Sequence, residues 1–135
     1  MRDTNRLPTT LQLVPLFVVL ALTLFPFGWL GELWPAFGSR IDYVFSTDER
    51  HALGHAALFC LLGLATLAGL PRLHARPVHY IALLLLVGVG QEVFQTLYKG
   101  RLLLFDDSRD LLTDLVGISV AFALGQIWRR IVTET

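Results

Sequence analysis

The chain has 135 residues, 54% of them hydrophobic and only 16% charged, with a mean hydropathy of +0.59. Soluble domains carry about a quarter charged residues, so this composition excludes an ordinary water-soluble globule and points to a membrane protein. Eleven basic residues balance eleven acidic ones, which excludes a nucleic-acid face built on excess positive charge, and the single cysteine, Cys60, excludes an internal disulfide framework.

In chain order, the first element is the apolar run Leu11 to Leu30, preceded by Arg2 and Arg6. At about twenty residues it exceeds the 7–15 of a signal-peptide core, and no convincing small-x-small cleavage site follows. It reads as a retained transmembrane helix, with Pro15 near its start and Pro26 near its end. A helix needs about 20 apolar residues to cross the hydrocarbon, and three further segments qualify. They are His51 to Leu70, closed by Pro71; Val78 to Tyr98, opened after Pro77 and closed by Gly100; and Leu111 to Trp128, closed by Arg129 and Arg130. The expectation is an all-α fold, a four-transmembrane-helix bundle forming a single domain over residues 1–135. The connection from Gly31 to Arg50 carries Trp34, Phe37, Tyr43 and Phe45, residues that favour the membrane interface. It is expected to lie on the membrane surface.

Orientation follows from the basic residues. Arg2, Arg6, Arg72, Arg76, Arg129 and Arg130 fall on one side, offset only by Asp3 and Glu134. Arg40, Arg50, Lys99, Arg101 and Arg109 fall on the other, mixed with seven carboxylates. The first set sits in short segments flanking the spans, where positive charge counts most. Both termini are therefore expected in the cytoplasm.

Antiparallel helices bring the start of the second span, the end of the third and the start of the fourth to one membrane face. His55, Glu92, Gln95, Arg101, Asp110 and Asp114 all gather there. Glu92 lies six residues before Tyr98, about 9 Å along the helix. Glu92 and Gln95 share a face at i, i+3, with Gln91 slightly off it. His51 and His55 stand at i, i+4, as do Asp110 and Asp114. Ionisable groups in hydrocarbon are costly, so these side chains should point into the bundle and meet one another. The expected arrangement is a polar pocket, open to the outer leaflet, lined by three helices.

Structural roles compete with this reading residue by residue. Glu92, Gln91 and Gln95 can serve as interhelical hydrogen-bonding groups. His51 and His55 can sit at the interface. Asp110 can cap the helix that follows it. Asp114 can pair with Arg101 or Arg109, or orient His55. Gly88, Gly90, Gly117 and Gly125 suit close helix packing, and Gly88-Val-Gly90 is no nucleotide loop because no strand precedes it. The polar residues nevertheless share one side and a similar depth, which favours a site.

These motifs, in this order, resemble the VanZ-like family of small bacterial membrane proteins. That family has a His followed by an aromatic near the start of one helix, here His55-Ala-Ala-Leu-Phe59. Glu-x-x-Gln closes the next helix, here Glu92-Val-Phe-Gln95. Gly-Arg follows, here Gly100-Arg101, and then Asp-x-x-x-Asn-x-x-Gly, here Asp110-Leu-Leu-Thr-Asp114-Leu-Val-Gly117. The resemblance spans about His51 to Gly125. It departs from the family in three places. His51-Ala52 stands where an Asp-Lys pair is usual, Asp114 replaces an Asn, and the Arg101–Asp110 loop is about three residues longer. The resemblance implies a protein of the bacterial cytoplasmic membrane. Founding members are associated with lowered susceptibility to teicoplanin, and no established reaction comes with the family.

Three functions follow as expectations. The first is a binding or shielding protein whose pocket takes a phospholipid, a cell-wall lipid precursor or a lipoglycopeptide, with Arg101 on phosphate and His55, Glu92 and Gln95 fixing orientation. The second is a membrane-embedded enzyme on a phospholipid or wall lipid precursor, with His55 or Glu92 as general base. No nucleophile motif such as GxSxG is present. The third, a proton or ion pathway, is disfavoured because the inner halves of the spans hold almost no ionisable residue. No cofactor is expected. No metal is expected either, since HExxH is absent and ligand spacing is loose.

Overall fold

A computed structural model describes residues 9–25, 31–100 and 105–134. Among these it is helical, with no strand. Five α-helices follow in order: α1 (Thr9–Leu24), α2 (Pro35–Val44), α3 (Asp48–Gly69), α4 (Pro77–Lys99) and α5 (Phe105–Glu134), with a 3-10 turn over Pro71–Ala75 between α3 and α4. Three are long and apolar enough to cross a membrane: α3, α4, and α5 over its Ser108–Val132 stretch.

The first segment departs from expectation. α1 has 16 residues, about 24 Å at 1.5 Å per residue, and it stops at Leu24. Phe25 precedes Pro26, whose ring disfavours helical backbone in the residue before it and which has no N–H to offer. Residues 26–30, the rest of the expected span, lie outside the described residues. Pro15 is accommodated inside α1.

The other three spans match their sequence signals, each extended at one or both ends. α3 starts three residues earlier than His51, where the Thr47 hydroxyl accepts from the Arg50 N–H at 3.3 Å. Asp48 and Glu49 occupy its first turn, where negative charge suits the helix dipole. Pro71 ends it. α4 begins with Pro77 at its first position, a place that needs no N–H. It closes on Gly100, whose φ of 60° is the left-handed conformation that only glycine adopts without strain. α5 begins at Phe105 and not after Asp110, so Asp110 lies inside the helix and does not cap it. Asp106 and Asp107, ahead of Ser108, therefore fall within the helix and not in a loop. At the far end the helix runs past Arg129 and Arg130 to Glu134. The expected surface connection contains a helix of its own, α2, none of whose residues is buried.

The core is built from Phe59, Leu62 and Leu67 of α3, Tyr80 and Leu84 of α4, and Ile118 of α5. α1 lays Leu16, Val19 and Leu20 against it and leaves Leu11, Val14, Phe17 and Val18 outside. α3 packs most extensively on α5, then on α1. Small residues set that spacing, as is usual between membrane helices. A Cβ added at Gly117 would fall on the Ala56 carbonyl oxygen, and one at Gly63 on the Tyr80 hydroxyl and Ala121. The Tyr80 hydroxyl donates to the Ile118 carbonyl at 3.3 Å, joining α4 to α5. Large apolar side chains face outward on every long helix, among them Leu61, Val78, Leu86, Leu97, Leu112 and Ile127. So much exposed apolar surface fits lipid and not water.

Candidate functional site

One end of this apolar bundle is polar. On α3, His51 and His55 stand one turn apart; on α5, Asp110 and Asp114 do the same. The close approach of Ala56 to Gly117 brings the two pairs level. His55 Nδ1–H donates to Asp114 Oδ1 at 2.9 Å. With the carboxylate ionised, the imidazole N–H is the donor, since a carboxylate then only accepts. One turn nearer the surface, His51 Nε2 lies 3.5 Å from Asp110 Oδ2. The rings of His51 and His55 lie 4.8 Å apart, centroid to centroid. The result is two histidine–aspartate rungs stacked between two spans.

The rungs differ in exposure. His55 and Asp114 are buried, Asp114 completely. The His51 side chain is 46% exposed and that of Asp110 20%, so the outer rung forms the mouth and the inner rung the floor. α4 adds Gln91 and Glu92, both buried, and Gln95, half-buried. Glu92 lies within electrostatic reach of His55. Asp114 Oδ2 has no hydrogen-bond partner among the described residues and faces Gly88 of α4, where an added Cβ would come to 3.0 Å. The bare glycine therefore leaves room for that carboxylate oxygen.

The described contacts join His55, Asp110 and Asp114 with His51, with Glu92 in electrostatic reach of His55, while Gln95 is half-buried on α4. Arg101 lies outside the described residues. The pairings are more specific than the sequence allowed: Asp114 meets His55, while Arg109 donates to Asp48 at 3.2 Å across the exposed starts of α3 and α5. Two residues emerge beyond the sequence list. His51 joins the mouth, and Gln91 is buried more deeply than Gln95. The signal for His51 was its one-turn spacing from His55, matching that of the two aspartates. The signal for Gln91 was weaker, since it falls off the Glu92–Gln95 face.

Among the surface grooves of the described residues are two of about 410 and 430 Å³. The smaller runs between Gly31, Pro35, Gly38 and Ile41. The larger is lined by Tyr43, Val44, Phe45, Arg50, Leu53, Gly54 and Ala57. It adjoins the mouth of the site, because the Phe45 ring meets the His51 ring edge-on at 6.0 Å. Arg50 is held there by the Tyr43 carbonyl at 3.2 Å and lies 5.7 Å from the centre of the Tyr43 ring.

The opposite end of the bundle has its own polar contact. Gln126 Nε2 donates to the His74 carbonyl at 2.8 Å, and the His74 ring packs over Gly125. Burial, then the nearby Arg129 charge, push the His74 pKa below its ordinary value.

No protein-family model matches the chain, and no curated protein or solved structure matches it significantly.

Proposed function

We propose that this is a VanZ-like protein of the bacterial cytoplasmic membrane, a four-span bundle with both termini in the cytoplasm. Its polar end faces outward and holds the headgroup of a lipid-linked or lipoglycopeptide ligand, altering susceptibility to teicoplanin-type drugs. The observation that carries this reading is the buried inner rung, His55 with Asp114, beside Glu92 at one end of an otherwise apolar bundle. Ionisable groups in that setting are costly, and a bundle held only by packing has no need of them. The outer rung leaves the polar floor reachable from the interface. The groove beside it, apolar along Val44, Phe45, Leu53 and Ala57 and cationic at Arg50, suits an acyl chain with an anionic headgroup.

The test is lipid mass spectrometry on protein purified from native membranes, beside a Glu92→Gln variant. A specific phospholipid or wall precursor retained by the wild type and lost from the variant supports the reading. Identical bulk lipid in both removes it. Expression in a teicoplanin-sensitive host then reads the consequence as a change in inhibitory concentration that Glu92→Gln abolishes.

A second reading, an embedded enzyme acting on a phospholipid or wall lipid precursor, is favoured by one detail. Asp114 fixes His55 through Nδ1, which leaves Nε2 facing away as a general base, the arrangement in which a carboxylate orients a catalytic imidazole. Turnover of a phospholipid by the wild type, lost in His55→Gln with binding retained, would favour this reading over simple binding.

A further inference from the structure

We propose that His51, His55 and Asp110 ligate a divalent transition-metal ion at the mouth of the polar end, with Asp114 holding His55 in place from behind. The inference rests on the side chains alone and holds whichever ligand the end of the bundle takes.

The geometry comes first. One ligand atom from each of His51, His55 and Asp110 lies within 4.8 Å of the other two. Bonds of about 2.1 Å in a tetrahedral site put ligand atoms about 3.4 Å apart, and His51 Nε2 and Asp110 Oδ2 already stand at 3.5 Å. The wider separation closes by turning His51 and Asp110, whose side chains are partly exposed and can move without unpacking the core. Two histidines one turn apart on a helix face are themselves a common ligand pair. Here the third ligand comes from the neighbouring helix.

The inner rung supplies the second observation. His55 engages Asp114 through Nδ1, so Nε2 is the nitrogen left to ligate, and the His51 and Asp110 side chains must turn to meet it. A carboxylate behind a ligating imidazole fixes its tautomer and orientation and makes it more basic. Asp114 is completely buried; among the described residues one of its oxygens has no hydrogen-bond partner, and the one basic group within ion-pair distance is the His55 imidazole. A dication on the far side of that ring would add positive charge facing the buried carboxylate.

The donor set then selects the ion. Two imidazoles and a carboxylate suit zinc(II), iron(II), nickel(II) or copper(II), whereas calcium and magnesium prefer oxygen ligands throughout. Three protein ligands leave at least one position for water or another oxygen donor, on the side where His51 opens the site. This use of His55 Nε2 excludes its acting as a free general base.

The experiment uses the full chain in detergent, stripped with chelator and titrated with zinc(II) by calorimetry. One equivalent is expected to bind. His51→Ala, His55→Gln and Asp110→Asn should each lose that binding, and Asp114→Asn should weaken it about 10–100-fold. His79→Ala and Cys60→Ser, away from the site, should bind as the wild type does. X-ray absorption on the zinc-loaded wild type needs no variant to fold, and should show two imidazoles with oxygen completing the shell. The proposal is overturned by any of three results: no binding at micromolar zinc, unchanged binding in both His51→Ala and His55→Gln, or a shell lacking the paired imidazoles.

Discussion

His55 and Asp114 are 59 residues apart in sequence and 2.9 Å apart across the interface of α3 and α5. Both are buried, and Gly117, one turn beyond Asp114, is what lets α5 approach the α3 backbone closely enough for them to meet. The polar end is therefore a product of helix packing as much as of polar sequence.

If the pair is a real coupling, its two members cannot be removed independently. Asp114→Ala leaves a buried imidazole without its acceptor, and is expected to cost about 3 kcal/mol. Having lost one partner, the fold loses less on losing the other. A double-mutant cycle of His55→Ala and Asp114→Ala, followed by detergent-denaturant unfolding, should give a coupling of about 0.5–1.5 kcal/mol. Additive single effects would mean that the two side chains do not interact in the membrane.

Two glycines test the packing that aligns the rungs. At Gly117 an added methyl meets the Ala56 carbonyl, while at Gly90 it meets nothing within 4 Å among the described residues. Gly117→Ala should destabilise by about 1–3 kcal/mol through overpacking. Gly90→Ala should be neutral, or stabilising by up to about 1 kcal/mol, since alanine favours a helix interior over glycine. Equal effects at the two positions, measured by thermal unfolding in detergent, would contradict the close α3–α5 contact.

Much of this was legible in the sequence, for physical reasons that can be named. α3 and α4 are bracketed by Pro71, Pro77 and Gly100, and their apolar runs exceed the hydrocarbon thickness, so their existence and approximate ends could be read directly. α5 was recognised but its start was misplaced. The acidic residues before Asp110 looked like loop, yet a helix that leaves the hydrocarbon can continue through water with carboxylates in its first turn. α2 was missed because Trp34 to Phe45 mixes aromatic and polar residues without a helical stripe, and its interfacial character overshadowed its conformation. At the polar end, the approach of His55, Asp110 and Asp114 was readable, because antiparallel spans fix which ends meet. The pairing was not. Whether Asp114 meets an arginine or His55 depends on the axial register of α3 against α5, which Gly117 and Ala56 set and no spacing within one helix reveals.

The far end of the bundle carries a pH dependence whose sign is fixed. Burial and then Arg129 hold the folded-state pKa of His74 below its ordinary 6.5. The unfolded chain therefore takes up this proton at a higher pH than the folded one. The stability associated with a neutral His74 is fully present above about pH 6.5 and is lost as pH falls toward the lowered folded value. Detergent-solubilised wild type should lose thermal stability as pH is lowered below about 6.5, with part of the slope absent from His74→Leu and reduced in Arg129→Gln. An identical slope in wild type and His74→Leu would assign the dependence elsewhere.

Whether α1 crosses the membrane decides the number of spans. Its 16 residues cover about 24 Å, less than the roughly 30 Å hydrocarbon core. Crossing then requires local thinning of the bilayer, which costs only fractions of a kcal/mol per ångström, or apolar help from residues beyond Leu24. The basic residues favour crossing: Arg2 and Arg6 stand with Arg72, Arg76, Arg129 and Arg130 only if α1 spans. With α3, α4 and α5 crossing, the C-terminus lies opposite the α2 segment. If α1 also crosses, the N-terminus joins the C-terminus; if it does not, the termini part. In a Cys60→Ser background, single cysteines at Thr4 and Thr133 can be probed with a membrane-impermeant maleimide on intact cells. Protection of both until the cells are lysed is the expected outcome, with a cysteine at Ser39 in α2 labelled from outside as the control. Labelling of the Thr4→Cys variant alongside Ser39→Cys, with Thr133→Cys still protected, would reduce the bundle to three spans and leave α1 packed at the surface.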